Sequence, residues 1–282
     1  MLDLLLAIPY PRIDPTAFAI GPFAVRWYAL AYVAGLVFAW WHVRGIVASR
    51  PAGKRIMEPK DVDDLLFWAT FGVVLGGRLG YVLFYKPGYY IEHLDEVFSL
   101  WKGGMSFHGG LIGVILAMTW IARTRKLVML SVYDLGAVAT PIGLFLGRMA
   151  NFINGELWGR PSDVAWAMVF PSDPRHVARH PSQLYEGFLE GIVLFGFLWI
   201  MRKRTDALSR PGELGGWFCF GYGLARIVSE FFREPDAHLG YLLGPITMGM
   251  VLSVPVVAVG LFFVWRARKR AAKATPALSP SA

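Results

Sequence analysis

The sequence predicts an all-α, polytopic integral membrane protein of about seven transmembrane helices. Three observations carry that expectation. Of 282 residues, 55% are hydrophobic and only 17% charged, with a mean hydropathy of +0.46; a soluble chain of this length coats itself with more charge. Several windows of roughly 20 residues are nearly free of charge, the length that crosses about 30 Å of hydrocarbon. The basic residues gather after alternate apolar runs, so the formal charge of +8 is read loop by loop and not as a nucleic-acid footprint.

Seven spans follow in order: 23–46, 62–85, 107–122, 132–153, 182–201, 214–232 and 245–265. Each is helical, because a segment in lipid must satisfy its own backbone polar groups. Arg50, Lys54, Arg55 and Lys60 follow the first span, and Arg123, Arg125 and Lys126 the third. Arg202, Lys203, Arg204 and Arg210 follow the fifth; Arg266, Arg268, Lys269, Arg270 and Lys273 follow the seventh. Sixteen of the 28 lysines and arginines thus fall on one side, and the positive-inside rule makes that side cytoplasmic. The N-terminus is then outside and the C-terminus inside.

The opposite side carries 1–22, 86–106, 154–181 and 233–244, of which 154–181 is long enough for a small outer head. Residues 1–270 read as one transmembrane domain, and the tail 271–282, "AAKATPALSPSA", as disordered. The N-terminal "MLDLLLAIPYPRID" lacks a basic leader region and cleavage site, so it reads as a retained interfacial piece. Cys219 is the only cysteine and lies in an apolar run, where it reads as a packing residue. No internal repeat is evident.

With the orientation set, the polar residues of the spans fall at one depth. Arg26 and Tyr28 open the first span on the outer side; Arg78 lies in the outer half of the second. His108 is in the first turn of the third, Arg148, Asn151 and Asn154 end the fourth, and Gln183 and Glu186 begin the fifth. Tyr222, Arg226, Glu230 and Arg233 lie along one face of the sixth. Buried charges in a bilayer cost several kcal/mol unless paired and mark function. A bland pairing of Arg226 with Glu230 accounts for one of them. Arg78, Arg148 and Arg226 together outnumber the carboxylates counted at that depth, and a surplus of buried cations requires an anion. In an outer leaflet that anion is a lipid phosphate, which suits the planar arginine fork.

Other features bear on chemistry. Asn151 sits one turn after Arg148, and Glu156 either balances charge or holds Arg160. A lone histidine is more often a packing residue, but His108 lies among Gly103, Gly104, Gly109 and Gly110, which favours a proton-handling or ligand-contacting role. No phosphate loop of the form GxxxxGK[ST] and no metal-ligand spacing is present, so neither ATP hydrolysis nor a metal is expected.

Five blocks carry a family resemblance: "GGRLGYVLFY" at 76–85, "GGMSFHGGLIG" at 103–113, "GRMANFINGELWGRPS" at 147–162, "HPSQLYEG" at 180–187 and "GYGLARIVSEFFREPD" at 221–236. In these, and in their order, the chain resembles the bacterial prolipoprotein diacylglyceryl transferases. The resemblance implies a multi-pass inner-membrane enzyme with its active site toward the periplasm, so a periplasmic N-terminus, periplasmic head and cytoplasmic C-terminus. It implies transfer of the sn-1,2-diacylglyceryl group of phosphatidylglycerol, a membrane lipid, to the lipobox cysteine of a prolipoprotein signal peptide, with glycerol 1-phosphate released and no cofactor. The family's important residues fall on Tyr28, His108, Arg148, Asn151, Glu156, Gly159, Tyr222 and Arg226, with Glu230 and Arg233 in support; Arg78 joins them as a substrate-binding candidate from its depth. Arg148, Arg226 and His108 are the catalytic candidates. His108 as the base stays open, because arginines that lower the thiol pKa would make a dedicated base unnecessary. An anionic-solute transporter and a lipid-binding scaffold are the competing readings. The first expects polar residues continuing to the inner side; the second gives no reason for His108 among glycines.

Overall fold

The computed structural model describes residues 8–21, 23–235 and 240–274. Seven long helices occur there: α1 Trp27–Ala48, α2 Pro59–Phe84, α3 Phe107–Thr124, α4 Met129–Ile153, α5 Ser182–Arg204, α6 Glu213–Glu230 and α7 Met248–Ala274. Six of them are long and apolar enough to cross a membrane; α6, which carries Glu213, Arg226 and Glu230, is the exception. The protein is therefore an all-α multi-pass membrane protein. Its helices are apolar on the outside as well as within: Trp41, Leu83 and Val254 are each about 60% exposed. Such surfaces are stable only against hydrocarbon.

The chain divides into two compact units, 40–133 and the remainder. In the unit 40–133, α2 and α3 pack backbone to backbone. Gly72, Gly76 and Gly80 of α2 face Gly109 and Gly113 of α3, and a methyl group on any of them would strike the other helix. Small residues four apart allow this approach, so Gly109, next to His108, serves helix packing here. The acidic start of α2 ties down its neighbours: Asp63 accepts from Trp40 Nε1 at 2.6 Å and Arg44 Nε at 3.2 Å, and Arg125 reaches Asp64 at 2.6 Å.

In the other unit α6 starts at Gly212, in the left-handed region at φ 93°. The wholly buried Asp134 of α4 accepts from the Gly212 and Gly215 N–H groups, both at 2.7 Å, so a carboxylate caps the positive end of that helix. The loops hold short strands: β1 Ile8–Pro9, β2 Thr16–Ile20, β3 Phe23–Arg26, β4 Met168–Val169, β5 Ala178–Arg179, β6 Tyr241–Leu243 and β7 Ile246–Thr247. β4 pairs parallel with β1 and antiparallel with β5, β2 with β3 and β6 with β7 form hairpins. The sequence expectation of a head over 154–181 corresponds to β4, β5 and the connections around them. It is built on a buried ion pair, Arg179 to Asp173 at 2.6 and 3.0 Å, with the guanidinium 3.8 Å above the Trp158 ring centroid. The Tyr10 hydroxyl donates to the last carbonyls of α4, Phe152 and Ile153. The helix α7 runs on to Ala274, four residues into the segment read as a disordered tail; residues 275–282, like 1–7, lie outside the described residues. Cys219 is a half-buried free thiol.

Candidate active site

Polar side chains of the α4, α5 and α6 helices meet in one buried cluster. Glycines on α5 make the meeting close: Gly187 lies against Arg148 and Met149, and Gly191 against the backbone of Phe145. Any larger residue there would push α5 away from α4. Between them α5 is wound as a π-helical turn, Gly187–Val193, a local widening that is common at functional sites. The turn brings Glu186 and Glu190, both wholly buried, toward the two arginines.

One oxygen holds the centre. Glu186 Oε2 lies 2.6 Å from Arg148 Nη2 and 2.7 Å from Arg226 Nη1. Glu190 is held more loosely, at 3.4 Å from Arg148 and 3.7 Å from Arg226. Arg226 Nη2 continues to Glu230 at 2.6 Å. Glu230 also takes Arg233 at 3.3 Å and the Thr247 hydroxyl at 2.5 Å, and Gly249 packs directly on its carboxylate. Tyr222, one turn before Arg226 on α6, is half-buried and stacked 6.0 Å from Phe218.

This geometry changes the charge count. The sequence expectation of surplus cations overlooked Glu190; Arg148, Arg226 and Arg233 face Glu186, Glu190 and Glu230, so the cluster is balanced. Two carboxylates four residues apart in the run "EGFLEGIVLFGFL" were the available signal, since an intramembrane acid needs a partner. The arginines keep donors all the same. Among the described residues Arg148 meets the carboxylates only through Nη2, so its Nε–H and Nη1–H remain for another acceptor. Its side chain is 18% exposed, against zero for Glu186 and Glu190.

Next to the cluster, α4 ends in a polar turn. Asn151 donates to Glu156 at 2.8 Å and Asn154 to the same oxygen at 3.3 Å, while Gln183 donates to the Glu156 carbonyl at 2.6 Å. Glu156 therefore holds the two asparagines and not Arg160, whose guanidinium donates to the carbonyls of Glu230 and Arg233. Gly159 bridges to Arg233 and donates to the His180 carbonyl at 2.9 Å. A methyl group on it would overlap the backbone of His180 and Phe232, so Gly159 locks the head to the end of α6.

The other candidates have local contacts of their own. Tyr28, half-buried, pairs with Tyr32 at 5.4 Å. Arg78 and His108 belong to the unit 40–133. Arg78 is buried and directs its donors at the carbonyls of Glu96, Val97, Gly103 and Gly104, the shortest at 2.5 Å; it fastens the loop 96–104 to α2. His108 is exposed in the first turn of α3, beside Phe107.

The fold and the site define a multi-pass helical membrane protein with a buried guanidinium–carboxylate cluster at the ends of α4, α5 and α6. The sequence model of the family described as prolipoprotein diacylglyceryl transferase matches residues 15–266. The chain belongs to that family and is a transferase. It is similar to the phosphatidylglycerol–prolipoprotein diacylglyceryl transferases of Brucella anthropi and Rhodospirillum rubrum. Each is 52% identical, over 280 and 274 residues respectively, which is 97% of this chain and 99% of either relative.

Proposed function

We propose that this protein performs the first step of bacterial lipoprotein maturation. It moves the sn-1,2-diacylglyceryl group of phosphatidylglycerol onto the lipobox cysteine thiol of a prolipoprotein, forming a thioether and releasing glycerol 1-phosphate. The setting is the inner membrane, with the N-terminus and the site toward the periplasm and the C-terminus in the cytoplasm. The observation that carries the reading is Arg148: a guanidinium fixed on one side by Glu186 at 2.6 Å, with its remaining donors free of the carboxylates. Such a group meets a phosphate without reorganising, which is how fixed donors stabilise charge that develops in a reaction.

The substrate thiol is the nucleophile, because the thiolate is the reactive form of sulfur. It attacks the glycerol carbon bonded to phosphate, and the carbon–oxygen electron pair leaves with the phosphate. Arg148 and Arg226 neutralise the charge that accumulates there. Tyr222 and the Asn151–Glu156 pair hold the head group, and Glu230 with Arg233 fixes the far side of Arg226. The thiol proton passes to a carboxylate of the cluster. Gly159 and Tyr28 contribute by shaping the walls. The test uses purified protein, phosphatidylglycerol and a lipobox peptide. A peptide mass gain of one diacylglyceryl group is expected; an unmodified peptide after prolonged incubation overturns the reading.

A further inference from the structure

We propose that Glu190 is the group on which the substrate's thiol proton comes to rest. The inference rests on the transferase reading above. Glu190 is wholly buried on the π-helical turn, and its Oε1, like that of Glu186, has no hydrogen-bond partner among the described residues. Buried acceptors are normally satisfied, and an exception calls for an explanation. The charged and titratable groups around it are Arg148 on α4, Glu186 on its own segment, and Arg226 and Tyr222 on α6. Glu186 engages both arginines at 2.6 and 2.7 Å and is tied up as their counter-ion. Glu190, at 3.4 and 3.7 Å from the same guanidiniums, gives up least by becoming neutral.

The charge balance of the reaction supplies the reason. The sulfur–carbon bond forms as the carbon–oxygen bond breaks, and that electron pair turns a singly charged phosphodiester into a doubly charged monoester. The thiol proton is left over. Delivered to Glu190, it removes one negative charge from the cluster in the same step that one is added to the phosphate. Arg148 and Arg226 then face the leaving group with one carboxylate fewer beside them. The proton departs afterwards on the phosphate monoester, whose second pKa is about 6. Because Glu190 is buried, the proton reaches it through a relay, and the half-buried hydroxyl of Tyr222, one turn before Arg226 on α6, can both accept and donate.

The experiment compares initial rates of peptide diacylglycerylation by the full-length protein and its Glu190→Gln variant between pH 6 and pH 9.5. The variant is expected to be on the order of 100-fold slower at pH 7. Its deficit should shrink at least tenfold by pH 9.5, where the free thiol, of pKa about 8.5, is already ionised. A deficit that stays constant over the range, or a variant within threefold of wild type at pH 7, overturns the proposal. If Glu190→Gln does not fold, Glu190→Asp decides. An acid limb of the pH profile displaced from that of the wild type supports the assignment, and a superimposable limb overturns it. Failure of the wild-type protein to modify the peptide at any pH overturns the transferase reading itself, and is seen before any variant is compared.

Discussion

Arg148 and Arg226 share a single carboxylate oxygen, Glu186 Oε2, and that sharing is what sequence spacing does not reveal. The arginines, Glu230 and Arg233 are visible as charges in an apolar chain, and the structure draws them together. Glu190 escapes because it looks like one more helix residue until the π-helical turn directs it inward. Arg160 illustrates the same limit: its partners are backbone carbonyls 70 and 73 residues away, which leave no trace in residue identity. In the head, residue chemistry makes a pH prediction. Burial and the neighbouring Arg160 hold the His180 imidazole below its ordinary value, against an opposing pull from Asp163. Burial pushes the Asp173 carboxyl up, but the hydrogen bonds and charge of Arg179 outweigh it and hold the group low. Both groups have depressed values in the fold, so both contribute fully above their unfolded values and erode as pH falls. The loss begins below about pH 6.5 for His180 and below about pH 3.9 for Asp173. Hydrogen exchange over 159–180, corrected for intrinsic rates, should accelerate between pH 7 and pH 5, and His180→Gln should remove that step. Unchanged protection in the wild-type protein between those values contradicts the assignment.

At the scale of elements, the helices were legible from hydropathy and the positions of their contacts were not. All seven predicted spans correspond to helices, with ends displaced by up to nine residues, at the C-terminus of the last. Where two helices touch is set by small residues, and Gly187 and Gly191 are inconspicuous in an apolar run. They matter because α5 can bring Glu186 and Glu190 to Arg148 only if Gly191 lies against Phe145. Gly191→Leu is expected to cost about 1–3 kcal/mol of stability by overpacking. By displacing Glu186 from Arg148 it should lower the transfer rate on the order of 100-fold, although position 191 carries no reactive group. A thermal-shift measurement beside the rate assay checks both; a variant as active as wild type would show that the α4–α5 spacing does not set the site. The α2–α3 glycines make the complementary point. Of Gly103, Gly104, Gly109 and Gly110, which read as room for a ligand beside His108, the structure uses Gly109, together with Gly113, to seat one helix on another.

For the whole molecule, composition carries the architecture: a chain that is 55% hydrophobic, with six helices long and apolar enough to cross a membrane among the described residues, is a multi-pass membrane protein. The orientation proposed above would put the α4–α6 cluster near the periplasmic face. Fusion of a periplasm-dependent phosphatase within 154–181 should be active and the same fusion after 274 inactive, and the reverse pattern would invert the whole scheme. The family model covers residues 15–266, nearly the full length. What the account needs above all is that fixed cations grip the departing phosphate. The most direct measurement is the transfer rate of Arg148→Ala and Arg226→Ala, each shown to be folded, at saturating phosphatidylglycerol. A loss of about 100- to 1,000-fold in each is expected, as for removal of a single preorganised donor; rates within threefold of wild type in either variant would contradict the account.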